Sequence, residues 1–570
     1  MTIRFALPLE LRAAVDAACA DWRSNSKSDL IWHRDPSLWT RTGEENWLGW
    51  TDIVERQRHD LAPFQSFAAE VRAAGFQSVL LLGMGGSSLC PEVLAETFGP
   101  QPGYPALHII DSTDPEQVRA ARAKVDLART LVIVASKSGS TLEPNVLKQY
   151  FFEEMRQTVG PDRAGSHFVA ITDPGSKMEQ VAKADGFRRV FFGDPEIGGR
   201  FSALSVFGLV PAAVAGLDLD RLVSSASKAV SSAHQPVDEN PAVRLGLLLG
   251  SAANAGRDKL TILASPEIYD LGAWLEQLIA ESTGKLGKGI TPVDREPAGP
   301  PPVYGSDRVF VFIQLAGSSN TPLETHAAAL EAAGHPVVRI EIEDRYEIFG
   351  QFFTWEVATA VAGSVMGINP FDQPDVESAK VETRALTSAY EQTGKLPERK
   401  PFLTDQGISL FATDAYADTL RSAAPEATLA CVLGAHLAQI RPGDYFATLA
   451  FLPMFPEHEA AIQIFRHKVR DAKKVATCLG FGPRFLHSTG QDYKGGPNSG
   501  VFLQITAAHS ADLAIPGQKY SFGIVVDAQA AGDLAVLESR GRRALRVHMG
   551  PDISSALAAL NAAFDKALRL

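Results

Sequence analysis

Several short stretches of this 570-residue chain combine hydroxyl or charged side chains with glycine in patterns that could support chemistry. The clearest is SKSGSTLEP (136–144), which follows the apolar run TLVIVA and precedes a helix-length segment. Ser136, Lys137, Ser138, Ser140 and Thr141 crowd the start of that helix, where backbone N–H groups attract anions. Because the order GK[ST] is absent and glycines are few, the pattern favours a phosphomonoester over a nucleoside triphosphate. The alternative is a serine-rich helix cap that needs only one hydroxyl.

The turn GMGGSS (83–88) follows the apolar run SVLLL and opens a helix, and two interpretations of it compete. It could be a dinucleotide fingerprint, with Asp111 at the end of the next strand binding the ribose. However, Ser88 stands where the third glycine is expected, and Asp111 lies farther along the chain than the roughly 20 residues typical of that motif. A turn that lets a sugar approach the backbone at Gly86 and Ser87 fits better.

Three further stretches place a functional side chain in an apolar or glycine-rich setting. EIGGRFSALS (196–205) carries Arg200, which by itself is more typical of a structural ion pair. QLIAEST (277–283) ends an apolar helix with Glu281, which is either a paired core charge or the base of a proton transfer. FDQPDVESAK (371–380) places Gln373 and Lys380 two helical turns apart, so that both can face one cleft.

The elements that must position these residues are short apolar strands that alternate with helices. FQSVLLLGMG, ALHIIDSTDP, TLVIVASKSG, HFVAITDPGS and RRVFFGD predict one parallel sheet, and DKLTILAS, RVFVFIQLA and PVVRIEIE predict another. In such sheets ligands bind beyond the carboxyl ends of the strands. We therefore predict a tryptophan-rich helical segment (1–59), two doubly wound α/β domains (60–225 and 226–390) and a C-terminal mixed α/β domain (391–570). In the last, YFATLAFLP, GVFLQIT and SFGIVVDA are predicted strands.

Composition excludes several classes of function. The formal net charge of −12 argues against a nucleic-acid binder. The one basic run, FRHKVRDAKK (465–474), is predicted to be the solvated side of a helix. Four scattered cysteines suggest neither a zinc site nor a disulfide framework. The N-terminus lacks a signal-peptide core and no stretch is apolar enough to span a membrane, so we expect a cytoplasmic protein.

Together, GMGGSSLCP, SKSGSTLEP, EIGGRFSALSVFG, IAESTGKLGKG and NPFDQPDVESAK resemble the phosphoglucose isomerase family in order and spacing. The resemblance implies two sugar isomerase (SIS) domains and interconversion of glucose 6-phosphate and fructose 6-phosphate through a cis-enediolate, in glycolysis and gluconeogenesis. It implies neither a metal nor a nucleotide cofactor. The whole chain is similar to the isomerase half of transaldolase–phosphoglucose isomerase fusions, although it contains no transaldolase barrel.

The resemblance also implies a role for each matching residue. Glu281 would carry the proton between C1 and C2, Arg200 would stabilise the enediolate, and Lys380 would help to open the sugar ring. The phosphate would be held by Ser136, Lys137, Ser138 and Thr141, with Gly86 and Ser87 nearby. Glu143 and Gln373 match positions that line the sugar site.

Two departures from the family pattern stand out. Asp375 replaces the usual glycine after FDQP. In addition, the segment after GKGI lacks the ring-opening histidine that in the family typically comes from the neighbouring subunit. We hypothesise that His487, in the polar loop PRFLHSTGQDYKGGP, replaces it with Gln491 and Lys494 nearby; His326 and His335 are weaker candidates. If so, the site is completed within one chain, and a homodimer is less firmly implied than in the family.

Three alternative functions stay open from the sequence alone. One is an isomerase that also accepts mannose 6-phosphate. Another is a non-catalytic SIS-domain sensor of sugar phosphates, which would keep SKSGST but would not need Glu281, Arg200 and Lys380 together. The remaining alternative is a dinucleotide-dependent enzyme.

Overall fold

The computed structural model describes residues 2–569. Its strands are β1 (Thr2–Ala6), β2 (Ser78–Leu82), β3 (Ala106–Ile110), β4 (Thr130–Ala135), β5 (Phe168–Thr172), β6 (Arg189–Phe192), β7 (Lys259–Ala264), β8 (Thr291–Val293), β9 (Arg308–Leu315), β10 (Val337–Ile342), β11 (Leu403–Asp405), β12 (Ile408–Phe411), β13 (Tyr445–Phe451), β14 (Ala476–Phe481), β15 (Gly500–Ala507) and β16 (Arg543–Met549).

The α-helices are α1 (Leu9–Ser24), α2 (Lys27–Trp32), α3 (Ile53–Arg58), α4 (Ala62–Ala73), α5 (Leu89–Phe98), α6 (Pro115–Ala123), α7 (Leu142–Val159), α8 (Pro161–Ala164), α9 (Lys177–Ala184), α10 (Val206–Val214), α11 (Leu219–Ala233), α12 (Pro241–Asn254), α13 (Leu271–Thr283), α14 (Thr321–Ala332), α15 (Ile348–Met366), α16 (Pro374–Thr393), α17 (Asp414–Ala423), α18 (Leu429–Leu437), α19 (Pro456–Lys473), α20 (Gly490–Gly495), α21 (Phe522–Ser539) and α22 (Ile553–Ala567).

These elements form two compact units, which we describe separately. The first unit comprises Met1–Asp111, Ala121–Thr283 and Val309–Asp372. The second comprises Ser112–Ala120, Gly284–Arg308 and Gln373–Leu570. The domain boundaries predicted at residues 60, 226 and 391 stay predictions.

One sheet of the first unit has the strand order β3-β2-β4-β5-β6, and each neighbouring pair of its strands is parallel. The strands are apolar because both faces of the sheet are covered, and all six residues of β4 are buried. The chain leaves β2 toward β3 on one side and continues through β4 on the other side, so the order reverses between β2 and β4. This topological switch point is where doubly wound sheets bind ligands.

Another sheet of the first unit contains the neighbouring strands β1, β10, β9 and β7. β9 and β10 are parallel, whereas β1 pairs antiparallel with β10 from Thr2↔Glu341 to Ala6↔Val337. We predicted a tryptophan-rich helical segment for residues 1–59 and no strand there. The local sequence did not indicate β1, because its partner strand lies more than three hundred residues away in the chain.

The sheet of the second unit has the strand order β11-β12-β16-β15-β13-β14. Strands β16, β15, β13 and β14 are parallel, and β11 and β12 add an antiparallel edge beside β16. The predicted fold class, two doubly wound parallel-sheet domains with a C-terminal mixed α/β domain, is therefore confirmed.

Two local predictions for the second unit are wrong. SFGIVVDA begins helix α21, whose first turn is capped where Ser521 Oγ accepts a hydrogen bond from Ile524 N. A short apolar run does not distinguish a buried strand from a buried helix.

The basic run is not simply a solvated face of α19, since Arg466 and Arg470 are buried. Arg466 Nη2 donates to the carbonyl of Asp294, and Arg470 Nη1 donates to that of Pro297.

No helix among residues 2–569 is both long and apolar enough to cross a membrane. In the same residues, no group of three or more His, Cys, Asp or Glu side chains is arranged to hold a metal ion.

Candidate active site

The hydroxyl-rich turn predicted to bind phosphate lies between the carboxyl end of β4 and the N-terminus of α7. Ser136 is 2% exposed, and its Oγ has no hydrogen-bond partner in the described part of the chain. The N-cap residue Thr141 makes no side-chain bond to the first turn of α7. A buried hydroxyl without a partner, beside uncapped helix N–H groups, suits an anion that accepts hydrogen bonds.

The remainder of this turn is held in place by local hydrogen bonds. Asn145 Nδ2 donates to the carbonyls of Gly139 and Thr141. Ser138 Oγ and Ser140 Oγ lie 2.9 Å apart, and both residues are exposed. Glu143, predicted to line the sugar site, is buried in the first turn of α7. The turn is thus preorganised and presents its hydroxyls at one end of a single helix.

Lys137 makes contacts that the sequence analysis did not predict. Its ammonium donates to Asp173 Oδ2 at 2.5 Å and to the carbonyl of Asp194 at 2.7 Å. Burial raises the pKa of the Asp173 carboxyl, and the contact with Lys137 opposes that rise. The charge of Lys137 is therefore shared with Asp173. Asp173 follows β5 at the sheet edge that also carries SKSGST, so the turn TDP after that strand was a usable signal.

The turn GMGGSS follows β2, so it lies beside the SKSGST turn at the switch point of the sheet. Gly86 needs to be glycine, because a Cβ built there would lie 1.9 Å from the carbonyl oxygen of Gly199. Ser88 Oγ donates to Asp111 Oδ2 at 3.3 Å. The absence of a side chain at Gly86 brings the turn with Ser87 against the segment that carries Arg200.

Arg200 is 2% exposed and lies in the 3₁₀ turn Gly199–Phe201. Its Nε donates to Ser282 Oγ at 2.7 Å, and its Nη2 donates to the carbonyls of Pro370 and Asp372 at 2.7 and 2.9 Å. Burial lowers the pKa of the guanidinium from its usual value, and the Glu281 carboxylate opposes this. These bonds fix the orientation of a buried cation. Ser282 is a further residue of the site that sequence reasoning missed.

Glu281 lies in the last turn of α13, as predicted, and is buried at 8% exposure. Gln277, one turn earlier, donates from Nε2 to Glu281 Oε2 at 3.1 Å. Glu281 Oε1 lies 3.8 Å from Arg200 Nη1, which is beyond hydrogen-bond distance but close enough for strong attraction. One carboxylate oxygen is therefore anchored, while the other faces the guanidinium without a hydrogen bond to it.

Aromatic side chains, including one from the tryptophan-rich segment, pack beside Arg200. Trp50 is fully buried and packs on Phe201 and Phe371, with ring centroids 5.4 and 6.3 Å apart. Phe201 and Phe371 also contact each other at 5.2 Å. These rings flank Arg200 and the carbonyls that it binds, so the packing positions the guanidinium.

The first unit thus brings together most of the residues predicted for the site. The turns Gly85–Ser87 and Gly199–Phe201 contact each other, and both contact α13. Gly86, Ser87, Arg200 and Glu281 therefore lie in one place, and the SKSGST turn follows the strand next to β2.

Gln373, Lys380 and His487 belong to the second unit. Gln373 is the exposed N-cap residue of α16, and Lys380 Nζ lies 3.8 Å from Glu377 Oε2 on the same helix. His487 ends the 3₁₀ turn Arg484–His487, and this turn packs on α16. The histidine and the lysine proposed for ring opening therefore lie on elements that contact each other.

The segment around His487 is more ordered than the polar loop that we expected, because it forms the 3₁₀ turn and helix α20. Lys494 Nζ pairs with Asp533 Oδ1 at 2.7 Å, and both side chains are buried. The Gln491 side chain is buried and bonded to backbone groups. The description of this segment as a polar loop is therefore wrong, because Gln491 and Lys494 lie in the interior of the unit on a helix that contacts the turn of His487.

Comparison with solved structures finds chains that share the fold. The chain superposes on a hypothetical protein of Thermus thermophilus with a TM-score of 0.59 and 26% identity, covering 67% of this chain and 99% of that one. It also shares the fold of a glucose-6-phosphate isomerase of Chlamydia trachomatis, with a TM-score of 0.51 and 21% identity over 60% of this chain and 75% of that one.

Sequence comparison identifies the family. Residues 52–296 match the family model described as phosphoglucose isomerase. The glucose-6-phosphate isomerase of Rubrobacter xylanophilus is 30% identical over 379 residues, which are 58% of this chain and 87% of that protein. That of Thermus thermophilus is 30% identical over 59% of this chain and 89% of its own length. The chain belongs to the phosphoglucose isomerase family.

Proposed function

We propose that this protein is an aldose–ketose isomerase that interconverts glucose 6-phosphate and fructose 6-phosphate. The observation that carries the proposal is the buried pair of Glu281 and Arg200, 3.8 Å apart and backed by Gln277 and Ser282. Isomerisation through an enediolate needs a base close to C1 and C2 and a fixed positive charge where the oxyanion develops. The pair supplies both, and no cofactor is needed.

In this mechanism Glu281 removes the proton from C2 of the open-chain aldose and returns it to C1. The C2 hydroxyl loses its proton and the C1 oxygen gains one in the same conversion, which yields the ketose. Arg200 stabilises the enediolate oxygen while the proton resides on the carboxylate. Gln277 keeps one carboxylate oxygen in place, so that Oε1 acts as the acceptor. Glu143 and Gln373 line the sugar, and Gly86 and Ser87 approach it through the backbone of their turn.

The experiment that tests this function is conversion of fructose 6-phosphate to glucose 6-phosphate by the purified protein, with mannose 6-phosphate assayed in parallel. Turnover between the glucose and fructose phosphates is the expected result. Binding of fructose 6-phosphate without turnover would favour a sensor instead. We further propose a cytoplasmic location, on the composition and because the four buried cysteines form no disulfide with one another.

The phosphate of the substrate is proposed to bind at Ser136, Lys137, Ser138 and Thr141. We expect Ser136→Ala to raise KM for fructose 6-phosphate about 10-fold or more, because a hydrogen bond to a charged group is worth about 1.5–3 kcal/mol. The change should leave kcat nearly unaltered, since this hydroxyl does not touch the reacting carbons. Steady-state kinetics check both numbers.

A matched control for this substitution is Ser364→Ala, which removes a hydroxyl that donates to the carbonyl of Leu38. Its KM should equal that of the wild type. An unchanged KM in Ser136→Ala would count against the assignment of the phosphate to this turn.

Ring opening is proposed to use His487 as the acid, with Lys380 assisting. We expect His487→Ala to lower kcat/KM for ring-closed glucose 6-phosphate about 10²-fold or more, the usual contribution of a positioned acid. Solvent-deuterium exchange into an aldose phosphate too short to cyclise should stay at the wild-type rate, because that substrate needs no ring opening. NMR measures both reactions.

His548→Gln is the control for His487, since His548 Nδ1 lies 2.9 Å from Thr506 Oγ1 in the same unit and has no proposed role. The role of His487 is refuted if its replacement slows neither reaction, or slows both equally.

A further inference from the structure

Gln491 is a fully buried side chain whose polar atoms are all bonded within the second unit. Its Nε2 donates to the carbonyl of Gly284 at 2.8 Å and to Asp375 Oδ2 at 2.7 Å. Its Oε1 accepts hydrogen bonds from the backbone N–H groups of Asp375 and Val376 at 2.9 and 3.1 Å. One amide therefore connects two chain segments that are far apart in sequence.

Both segments adjoin residues of the proposed mechanism. Gly284 comes three residues after Glu281 in the chain, immediately beyond α13. Asp375 and Val376 form the first turn of α16, the helix that carries Lys380. The first N–H groups of a helix lack partners within the helix, and the N-cap residue Gln373 makes no side-chain cap bond. Gln491 serves as the missing cap from another part of the chain.

The backbone around Gln491 is built for this close approach. A Cβ at Gly495 would lie 2.1 Å from Asp375 Oδ2 and 2.7 Å from the carbonyl oxygen of Gly284. Asp375 Oδ1 is in turn paired with Arg540 at 2.5 Å. Asp375, which departs from the glycine usual in the family, is thus a partner of Gln491 and Arg540 here. Helix α20 can dock between the two segments only because residue 495 has no side chain.

We propose that Gln491 is a positioning residue of the isomerase, which holds the start of the Lys380 helix against the segment at Gly284. This inference rests on the proposed function and extends it, because it assigns a positioning role to a buried residue of the C-terminal domain. Gln491 does not touch the substrate. It acts by setting the backbone position of the helix that carries the ring-opening lysine.

The test is Gln491→Met, which keeps the size of the side chain and removes all four hydrogen bonds. Gln491→Asn serves as a milder variant that folds if the first does not, since it keeps an amide that is too short to reach both segments. The matched control is Gln504→Met. Gln504 is also fully buried in the second unit, and its amide bonds the Ala530 carbonyl, Asp533 and Arg546 but neither Gly284 nor Asp375.

We expect Gln491→Met to lower kcat for fructose 6-phosphate about 10- to 100-fold, the effect of a displacement near 1 Å at a catalytic group. KM should change less than about 2-fold, because the proposed phosphate turn is elsewhere. Gln504→Met should lower the melting temperature to a similar extent and keep the wild-type kcat at temperatures well below both midpoints.

Two results would overturn the inference. One is a kcat for Gln491→Met and Gln491→Asn that matches wild type, and the other is a fall in kcat shared equally by Gln504→Met, which would indicate general loss of structure. A wild-type protein without isomerase activity would overturn the proposed function and the inference together. An active wild type with unaffected variants would overturn the inference alone.

Discussion

Replacement of Glu281 by glutamine is expected to lower the rate of conversion of fructose 6-phosphate to glucose 6-phosphate at least about 10²–10⁴-fold. The amide keeps the shape of the side chain and can still bond Gln277, but it cannot accept the proton that moves between C1 and C2. Binding should be retained, because the residues proposed to hold the phosphate are unchanged. Steady-state kinetics measure the rate, and a thermal shift with fructose 6-phosphate measures binding.

The control for this experiment is Glu356→Gln in the same unit. Glu356 is fully buried in α15, and burial raises the pKa of its carboxyl well above the usual value. Glu356 has no place in the proposed mechanism, so its exchange for an amide of the same shape should leave the activity intact. If Glu281→Gln retained more than about a tenth of the wild-type rate, a role as general base would be untenable.

Replacement of Arg200 by lysine is expected to lower kcat about 10²–10³-fold, as loss of one oxyanion-stabilising donor does in other enzymes. A lysine keeps the charge but cannot bond Ser282 and the carbonyls of Pro370 and Asp372 at once while still facing Glu281. The cation would therefore leave the position at which the enediolate charge develops. The measurement is kcat with saturating fructose 6-phosphate.

Arg188→Lys provides the comparison, since Arg188 bonds Glu70 and the carbonyl of Ser166 in the same unit and has no place in the mechanism. Its kcat should equal that of the wild type. A loss in Arg200→Lys no greater than in Arg188→Lys would mean that the guanidinium is only structural.

Glu281 and Arg200 are close neighbours with separate functions in the proposed mechanism. Glu281 lies near Arg200 without a hydrogen bond to it, so the carboxylate can take up a proton while the guanidinium stays anchored to its other partners. A direct bidentate ion pair would hold the carboxylate more strongly and make it a poorer base. The separation of 3.8 Å therefore matters to the chemistry.

The sequence by itself determined the local features of this protein. Apolar runs that end in polar or glycine-rich turns specified strands β2 to β6 of the first unit and the turns after them, because strand period and turn chemistry are properties of neighbouring residues. The same runs indicated that SKSGST and GMGGSS meet at one edge of a sheet, and that Glu281 ends an apolar helix. The structure confirms these placements.

Tertiary structure alone decided the features that depend on segments distant in the chain. It joined Lys137 to Asp173, brought Gly86 against Gly199 and paired β1 with β10. It also made SFGIVVDA a helix where a strand was equally compatible with the sequence. Gln491 is the clearest example, because its proposed role depends on four hydrogen bonds to Gly284, Asp375 and Val376. Such contacts form only when folding brings remote backbone groups together, and no local pattern encodes which groups will meet.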